Sequence, residues 1–561
     1  MTETTTSWPP PPVRPTVDEV VVERDVEIPM SDGARLVADV YRPAAAGAYP
    51  ALYAVSPYQK DLAHLPPIPV FRWRESGNIE WWVRHGYVFV HADSRGAGKS
   101  LPGDWCVLDA REQEDLHDAI EWTAEQPWCT GRVGMTGESY YAVVQWLAAA
   151  QQPPHLACIA PYDGWIDPYR DLFFHGGMPT MGFTTWWLWD VRARMLLDRP
   201  GPHDRAVMRY DFIDDLLRHP SDDDFWAERS AHAKFDRIRV PFYSMSNWTM
   251  VGIHLRANLI AFEELPGPKK LLVGSGDIGG DSQRFYHSEA LHTELLRFFD
   301  HWLKDDKNGI MDEPPVKVFV RNGEGFRDEH EWPLARTQYT PLYLGPGPTG
   351  TATSRNDGAL TWDPPGSDAA PTTYSYPDER WGGWPILGPA ERSADGQIDR
   401  LANILTFTSD PLTDEIEVTG PIVAKLWLSS DQPDTDLVVS LMDVAPESAP
   451  GPPRRVTRGW LRASHRGLDP ARSTPNRPFH DHRRPEPLEP GQVYELSVEI
   501  WPTSWVFLPG HRIRIEVSNA DSPMFDNPIN HHFGVKTGTD SIHHDVQHAS
   551  HVVLPIIPSA S

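Results

Sequence analysis

The sequence predicts an α/β domain with a largely parallel sheet and a helical cap insertion, followed by a second domain built only from β-strands. Three observations predict this. Strand and helix patterns alternate along residues 34–304, whereas only short strands cut by Pro and Gly follow residue 336. The chain also has 561 residues, and one hydrophobic core rarely grows beyond about 250–300 residues. At least two domains are therefore expected.

The strands of the first domain are marked by their apolar patterns. Residues 34–43 alternate apolar and polar side chains, which is the period-two signature of a strand with one buried face. Further strands are expected at the shorter apolar runs 49–55, 87–92, 132–136, 156–160, 240–245 and 270–274.

Helical patterns separate these strands. The clearest helix is predicted over 111–125, where Leu116, Ala119 and Ile120 share one face. Other helices are expected at 141–150, 186–197 and 287–304. Such alternation indicates a parallel sheet wrapped by helices. The strand patterns stop over 162–237, so this aromatic stretch is predicted to be a helical cap inserted into the domain.

Beyond residue 336 the pattern changes to an all-β sandwich. Short alternating strands are expected at 415–418, 424–428, 437–441, 494–500 and 511–517. The predicted organisation is a flexible Pro-rich tail (1–25), an α/β domain (26–161 and 238–336), a helical cap (162–237) and a C-terminal β-sandwich (337–561).

The composition restricts the partners of the chain. It carries 78 Asp and Glu against 51 Lys and Arg, a formal net charge of −27, which disfavours nucleic acid and anionic membranes. Three cysteines in no metal-ligand spacing favour a reducing compartment. No run of about 18 apolar residues appears. A cytoplasmic protein that binds neither nucleic acid nor membrane is expected.

Ser139 is the candidate nucleophile. It lies in the segment GMTGESYY (residues 134–141), between a predicted strand and a predicted helix. The α/β-hydrolase fold holds its nucleophile at this place, on a sharp turn with the pattern G-x-S-x-G. Tyr141 stands where the second glycine is expected. The alternative is a serine that only caps the helix after it.

Longer segments resemble one known family. Residues 131–146, GRVGMTGESYYAVVQW, are similar to the nucleophile segment of the cocaine-esterase and X-prolyl dipeptidyl-peptidase family. Further similar segments are VSPYQK (55–60), HADSRGAGKS (91–100), FTSDPL (407–412), VTGP (418–421) and LPGHRIR (508–514). Together they extend over residues 30–556, and they imply an α/β-hydrolase domain followed by a jelly roll.

The resemblance also implies an oxyanion hole. The phenol of Tyr58 and the backbone N–H of Tyr140 would donate to the oxyanion that forms when Ser139 attacks a carbonyl. Preorganised donors of this kind lower a barrier by about 3–4 kcal/mol each.

The acid and the histidine of the triad are missing from their usual loops. In this fold the acid follows the strand at 240–245, but residues 246–250 (SNWTM) contain no carboxylate. The histidine should follow the strand at 270–274, but residues 275–286 contain none. A serine nucleophile nevertheless needs a group that takes its proton.

Several side chains are candidates for that base. His287 and His254 rank first because they lie nearest the two loops, and His287 is taken as the base. His175 and His292 are alternatives, and Asp277 is another because burial raises the pKa of a carboxyl group.

No cofactor or metal site is predicted. His531 with His532, and His543 with His544, are adjacent pairs, whereas a helical metal site needs two ligands on one face. The run GAGKS (96–100) lacks the spacing of a phosphate-binding loop.

We therefore expect a serine hydrolase that cleaves an ester or amide bond of a small acyl or peptidyl substrate through an acyl-Ser139 intermediate. The alternative is a non-hydrolytic family member, acting as a binding scaffold, isomerase or cyclase. Carbohydrate binding by the jelly roll would rest on fold analogy alone. The expected partner is a small-molecule ester or amide, and assembly into a homo-oligomer stays open.

Overall fold

The computed structural model describes residues 8–61, 75–101, 103–197, 210–275, 285–354, 356–366, 368–376, 404–519 and 537–558. Every structural statement below concerns these ranges. Two large β-sheets organise them, one in each half of the chain.

The first sheet is the frame of the N-terminal domain. The strands up to residue 329 are β1 (Val20–Pro29), β2 (Arg35–Pro43), β3 (Tyr49–Ser56), β4 (Val88–Asp93), β5 (Cys129–Glu138), β6 (Leu156–Tyr162), β7 (Phe174–His175), β8 (Met178–Pro179), β9 (Phe242–Asn247), β10 (Lys269–Gly274), β11 (Val316–Val320) and β12 (Gly325–Glu329). Except for the separate pair β7 and β8, they form one sheet in the order β1-β2-β4-β3-β5-β6-β9-β10-β11-β12.

The middle of this sheet is parallel. Neighbours from β4 to β11 pair in parallel, whereas β1, β2 and β12 pair antiparallel at the edges. Every residue of β4 is buried, which explains its continuous apolar run, because parallel sheets are covered on both faces.

Eight α-helices accompany these strands in the described ranges. They are α1 (Ile79–Arg84), α2 (Ala110–Ala124), α3 (Tyr140–Gln151), α4 (Met181–Leu197), α5 (Phe212–Arg218), α6 (Asp224–Arg229), α7 (Leu255–Glu264) and α8 (Glu289–Leu303). Side chains cap the long helices α2 and α8: Asp109 accepts the N–H of Glu112 at 2.8 Å, and Ser288 accepts that of Leu291 at 3.2 Å. Helices α4 to α6 lie between β6 and β9 in the chain, as a cap insertion does.

The second sheet contains eleven strands and curls back on itself. They are β13 (Gln338–Gly345), β14 (Asp357–Thr361), β15 (Thr372–Tyr376), β16 (Ile404–Ser409), β17 (Ile416–Ser430), β18 (Asp436–Val444), β19 (Arg454–Arg462), β20 (Tyr494–Phe507), β21 (Arg512–Ser518), β22 (Gly538–His543) and β23 (His551–Ile557). Because β17 pairs with β20, β22 and β23, the sheet closes around its own apolar core.

Two elements differ from the sequence-based expectation. The strands expected at 415–418 and 424–428 are one strand, β17, because a bulge between Gly420 and Ile422 takes up Pro421, which has no N–H to donate. The flexible tail expected over 1–25 is wrong for residues 20–25, since β1 begins at Val20 and pairs with β2. The charged, exposed residues of β1 concealed its strand pattern in the sequence.

The two domains share a hydrophobic core. One apolar cluster joins Trp248, Leu255 and Val318 of the first domain to Trp460 and Trp501 of the second. A backbone hydrogen bond also joins the two domains, because the N–H of Val506 donates to the carbonyl of Arg321 at 2.9 Å. None of the described helices combines the length and the apolar character needed to cross a membrane.

Candidate active site

Ser139 occupies the turn between β5 and α3 in a strained backbone conformation. Its φ is 60° and its ψ is −118°, which a non-glycine residue rarely adopts and which is typical of a strand-to-helix nucleophile turn. Its N–H donates to the carbonyl of Tyr162 at 3.0 Å. The side chain makes no capping hydrogen bond to α3, so the helix-cap alternative has no geometric support.

Gly137 makes this turn possible. It has a φ of 141°, and a Cβ at this position would lie 2.3 Å from the Cβ of Tyr141. Tyr141 stands where the pattern G-x-S-x-G has its second glycine, and the missing Cβ of Gly137 leaves room for it. The hydroxyl of Tyr141 lies 2.7 Å from Nε2 of His91.

Tyr58 is buried in the loop after β3, and its phenol is oriented by the cap. The indole N–H of Trp187 in α4 donates to the phenol oxygen at 2.9 Å. Its ring contacts that of Tyr140 edge-on, with centroids 6.1 Å apart. Sequence reasoning missed Trp187, for which the only signal was the aromatic composition of the cap.

The loop that carries Tyr58 is held by Asp93. This carboxylate accepts the backbone N–H groups of Lys60 at 2.6 Å and Lys99 at 3.0 Å. Burial raises the pKa of Asp93 to about 7, against these hydrogen bonds. The ammonium group of Lys60 is buried among three carboxylates, at 2.7 Å from Asp25, 2.8 Å from Asp39 and 3.0 Å from Asp61. The HADSRGAGKS segment therefore fixes the loop that carries Tyr58.

Tyr140 is the first residue of α3, where backbone N–H groups have no partner within the helix. Its side chain is anchored elsewhere: the hydroxyl donates to the buried carboxylate of Glu112 at 2.7 and 2.9 Å, and Trp105 donates to the hydroxyl at 3.2 Å. Burial raises the pKa of Glu112 to about 8.

His254 contacts Trp165, which packs against Tyr140. His287 is further removed, because it contacts Tyr286, which in turn stacks on Tyr162. The ring of His254 is buried parallel to Trp165 at 5.8 Å, and its Nδ1 has no hydrogen-bond partner among the described residues. Burial lowers its pKa to about 3. His287 is exposed beside Tyr286, whose ring stacks on Tyr162 at 4.9 Å.

The other candidate bases are engaged elsewhere or not described. His175 stacks on Trp460 of β19 at 4.6 Å, so it lies between the two domains. Both ring nitrogens of His292 have partners, because Nε2 accepts the N–H of Asn78 at 3.3 Å and Nδ1 lies 3.0 Å from the carbonyl oxygen of Ser288. Asp277 lies outside the described residues.

A buried carboxylate stands close to where the fold usually places its acid. Asp163 follows β6 and accepts hydrogen bonds from the hydroxyl of Ser246 at 2.7 Å and the backbone N–H of Asn247 at 3.2 Å, at the end of β9. Burial raises its pKa to about 7. The neighbouring Tyr162 binds the N–H of Ser139. Sequence reasoning missed Asp163 because it searched only the loop after β9.

Comparisons with known proteins agree with this architecture. Residues 32–277 match the family model of X-Pro dipeptidyl-peptidase (S15 family), and residues 308–553 match that of the X-Pro dipeptidyl-peptidase C-terminal non-catalytic domain. The chain is 31% identical to a cocaine esterase of Rhodococcus sp., over 96% of this chain and 98% of that protein. It is 27% identical to a putative serine esterase of Mycobacterium bovis, over 94% of each chain.

A solved structure shows the same fold. It is a CocE/NonD family hydrolase from Staphylococcus aureus, with 27% identity and a TM-score of 0.79, over 96% of this chain and 94% of that one. The resemblance seen in the sequence and the predicted fold class are thereby confirmed. This chain belongs to the cocaine-esterase and X-Pro dipeptidyl-peptidase family, and it is a hydrolase with an α/β domain followed by a C-terminal β-sandwich.

Proposed function

We propose that this hydrolase cleaves an ester or amide bond of a small acyl or peptidyl substrate through an acyl-Ser139 intermediate. The observation that carries the proposal is the strained conformation of Ser139 on the turn between β5 and α3. A backbone held in such a sparsely populated conformation is a feature of functional sites.

The proposed reaction has two halves. Ser139 Oγ attacks the carbonyl carbon while a base takes its proton, and the carbonyl oxygen becomes an oxyanion that accepts hydrogen bonds from the Tyr58 phenol and the Tyr140 N–H. The C–O or C–N bond then breaks, and the leaving group receives the proton. Water attacks the acyl-enzyme in the same way and returns Ser139 with its proton.

The surroundings of Tyr140 favour an apolar acyl group. Its ring stacks on Trp187 at 6.2 Å and meets Trp105 at 6.1 Å and Trp165 at 6.5 Å. Ligand sites lined by aromatic rings bind apolar groups, and a few polar groups orient them. The relatives that are named esterases make an ester the first substrate class to test.

For the proton acceptor we propose a histidine, with His254 ahead of His287. His254 is buried, and its Nδ1 has no partner among the described residues, whereas His287 is exposed. Asp163 directly follows β6, which lies between β5 and β9 in the sheet, and we propose that its carboxylate supplies the acid of the relay.

A fluorophosphonate probe tests the nucleophile, because it labels only an activated serine. The wild-type chain should be labelled and should hydrolyse p-nitrophenyl esters, whereas Ser139→Ala should do neither. Ser94→Ala is a matched control, since Ser94 is also a buried serine and its N–H donates to the carbonyl of Ser56, the last residue of β3, at 3.0 Å. A wild-type chain without labelling and without hydrolysis would contradict the proposal and would leave a non-hydrolytic role.

Double substitutions test the base. If His254 takes the proton, His254→Gln should cost about as much activity as Ser139→Ala, and the two together should cost little more, because residues that act as a unit are not additive. His287→Gln should then retain activity. Activity lost with His287→Gln but kept with His254→Gln would assign the base to His287.

A further inference from the structure

The turn between β22 and β23 brings three metal-ligating side chains together, far along the chain from Ser139. His543 ends β22, and Asp545 and His548 lie in the turn that follows. One ligating atom from each residue lies within 4.8 Å of the other two. Nδ1 of His548 is 3.1 and 3.2 Å from the two carboxylate oxygens of Asp545.

The backbone of this turn is fixed by its neighbours. The hydroxyl of Ser550 donates to the carbonyl of His543 at 2.6 Å and accepts the N–H of Trp427 in β17 at 2.8 Å. Asp545 accepts the N–H of His548 at 3.0 Å. The three side chains are therefore presented by a rigid scaffold, which lowers the cost of collecting them around a ligand.

His543 also has the outer contact that metal-binding histidines commonly show. Its Nε2 lies 2.9 Å from the hydroxyl of Ser429 on β17. A hydrogen bond from one ring nitrogen orients the imidazole and raises the basicity of the other.

We propose that His543, Asp545 and His548 form a Zn²⁺ site that stabilises the turn between β22 and β23. Imidazole and carboxylate are zinc ligands at about 2.0–2.2 Å, and a water would complete the usual four. The side chains of His548 and Asp545 are 30% and 16% exposed, so an ion can enter. Binding would tie β23, which pairs with both β13 and β17, to the rest of the sandwich.

Sequence reasoning overlooked this site because it considered His543 only with His544. In the structure these neighbours point to different partners, and Nε2 of His544 lies 2.9 Å from the hydroxyl of Thr372. A second group of possible ligands in the described residues consists of the carboxylates of Asp25, Asp39 and Asp61. These carboxylates already surround the ammonium group of Lys60, so they are not proposed as a metal site.

The test uses the full-length chain, stripped with EDTA and titrated with ZnCl₂. Thermal melting, calorimetric titration and the zinc content after gel filtration are measured. We expect one zinc per chain at this site and a melting temperature that rises with zinc, because a ligand that binds only the folded state stabilises it. His548→Gln and Asp545→Asn should each weaken binding at least tenfold and remove the thermal shift.

His551→Gln is the matched control, since His551 follows the turn but hydrogen-bonds to the carbonyl of Ala549 through Nδ1. Because the chain has 24 histidines, the comparison with this control separates the site from weak surface binding. Melts in EDTA show whether each variant still folds. Equal zinc content and affinity in wild type and His548→Gln, or a wild-type melt that zinc does not move, would overturn the proposal.

Discussion

At the scale of single residues, the site depends on side chains that are held before any substrate arrives. Ser139 keeps a conformation that costs about 1–3 kcal/mol, and its neighbours impose it through the hydrogen bond to Tyr162 and the close packing of Gly137. Tyr58 is likewise fixed by Trp187. If Tyr58 donates to the oxyanion as proposed, its phenol needs no large reorientation when the oxyanion forms.

Tyr58→Phe should therefore reduce turnover much more than substrate binding. The phenol matters mainly once the carbonyl becomes an oxyanion, so kcat for a p-nitrophenyl ester should fall by about 10²–10³ while KM stays nearly constant. Tyr49→Phe is the control, because Tyr49 begins β3, at the end opposite to the Tyr58 loop, and its hydroxyl donates to the carbonyl of Ala45. An unchanged kcat would remove Tyr58 from the oxyanion hole.

At the scale of elements, the approach of α3 to β5 depends on glycine. Gly137→Ala should destabilise the fold by about 3 kcal/mol or more, because it adds a crowded Cβ to an unfavourable φ. Gly131→Ala is the control: its φ is also positive, at 85°, but no atom lies within 4 Å of the added Cβ. Urea denaturation should give a loss of about 1 kcal/mol for the control. Equal losses would show that crowding against Tyr141 is unimportant.

The contact between α2 and α3 should make stability depend on pH. Burial raises the pKa of Glu112 to about 8, so between its unfolded value and pH 8 the folded state holds a proton that the unfolded state releases. This contribution is complete at acidic pH and is lost as the pH rises through 8, with a slope of about 1.4 kcal/mol per pH unit.

Glu112→Gln should flatten that decline in urea melts between pH 5 and pH 8. The exposed Glu125→Gln, just after the same helix, should keep the wild-type slope. If Glu112→Gln and the wild type lose stability in parallel, Glu112 is ionised in the folded protein throughout this range.

Elements were easier to predict from the sequence than the contacts between them. Periodicity located β3 to β6 and α2, α3 and α8, because buried strands and amphipathic helices repeat along the chain. Periodicity failed at Pro421, where two strands were expected but a bulge keeps β17 continuous. It also failed at β1, whose charged, exposed residues hide the strand pattern. Ser139 could be predicted as the candidate nucleophile because the turn that carries it has a local sequence pattern. The hydrogen bond from Trp187 to Tyr58 could not be predicted, since the two residues are 129 positions apart in the sequence.

At the scale of the whole molecule, the two domains are joined by apolar and ionic contacts together. The apolar cluster around Trp248, Trp460 and Trp501 is buried only when both domains are present. Around it, the guanidinium of Arg256 pairs with Glu499 at 2.9 Å and with Asp171 at 2.8 Å. A buried cation that lost one of these partners would be costly. The domains are therefore expected to unfold as one unit.

A fragment that ends at Arg336 should accordingly be insoluble or fail to melt cooperatively, because Trp248, Leu255 and Val318 would lose the surface that covers them. In the full-length chain, Trp460→Ala should lower the free energy of unfolding by about 3–5 kcal/mol while leaving a single transition. Calorimetry and size-exclusion chromatography measure both. A soluble fragment with its own cooperative melt, together with a Trp460→Ala chain that unfolds in two steps, would show instead that the first domain is stable without the β-sandwich.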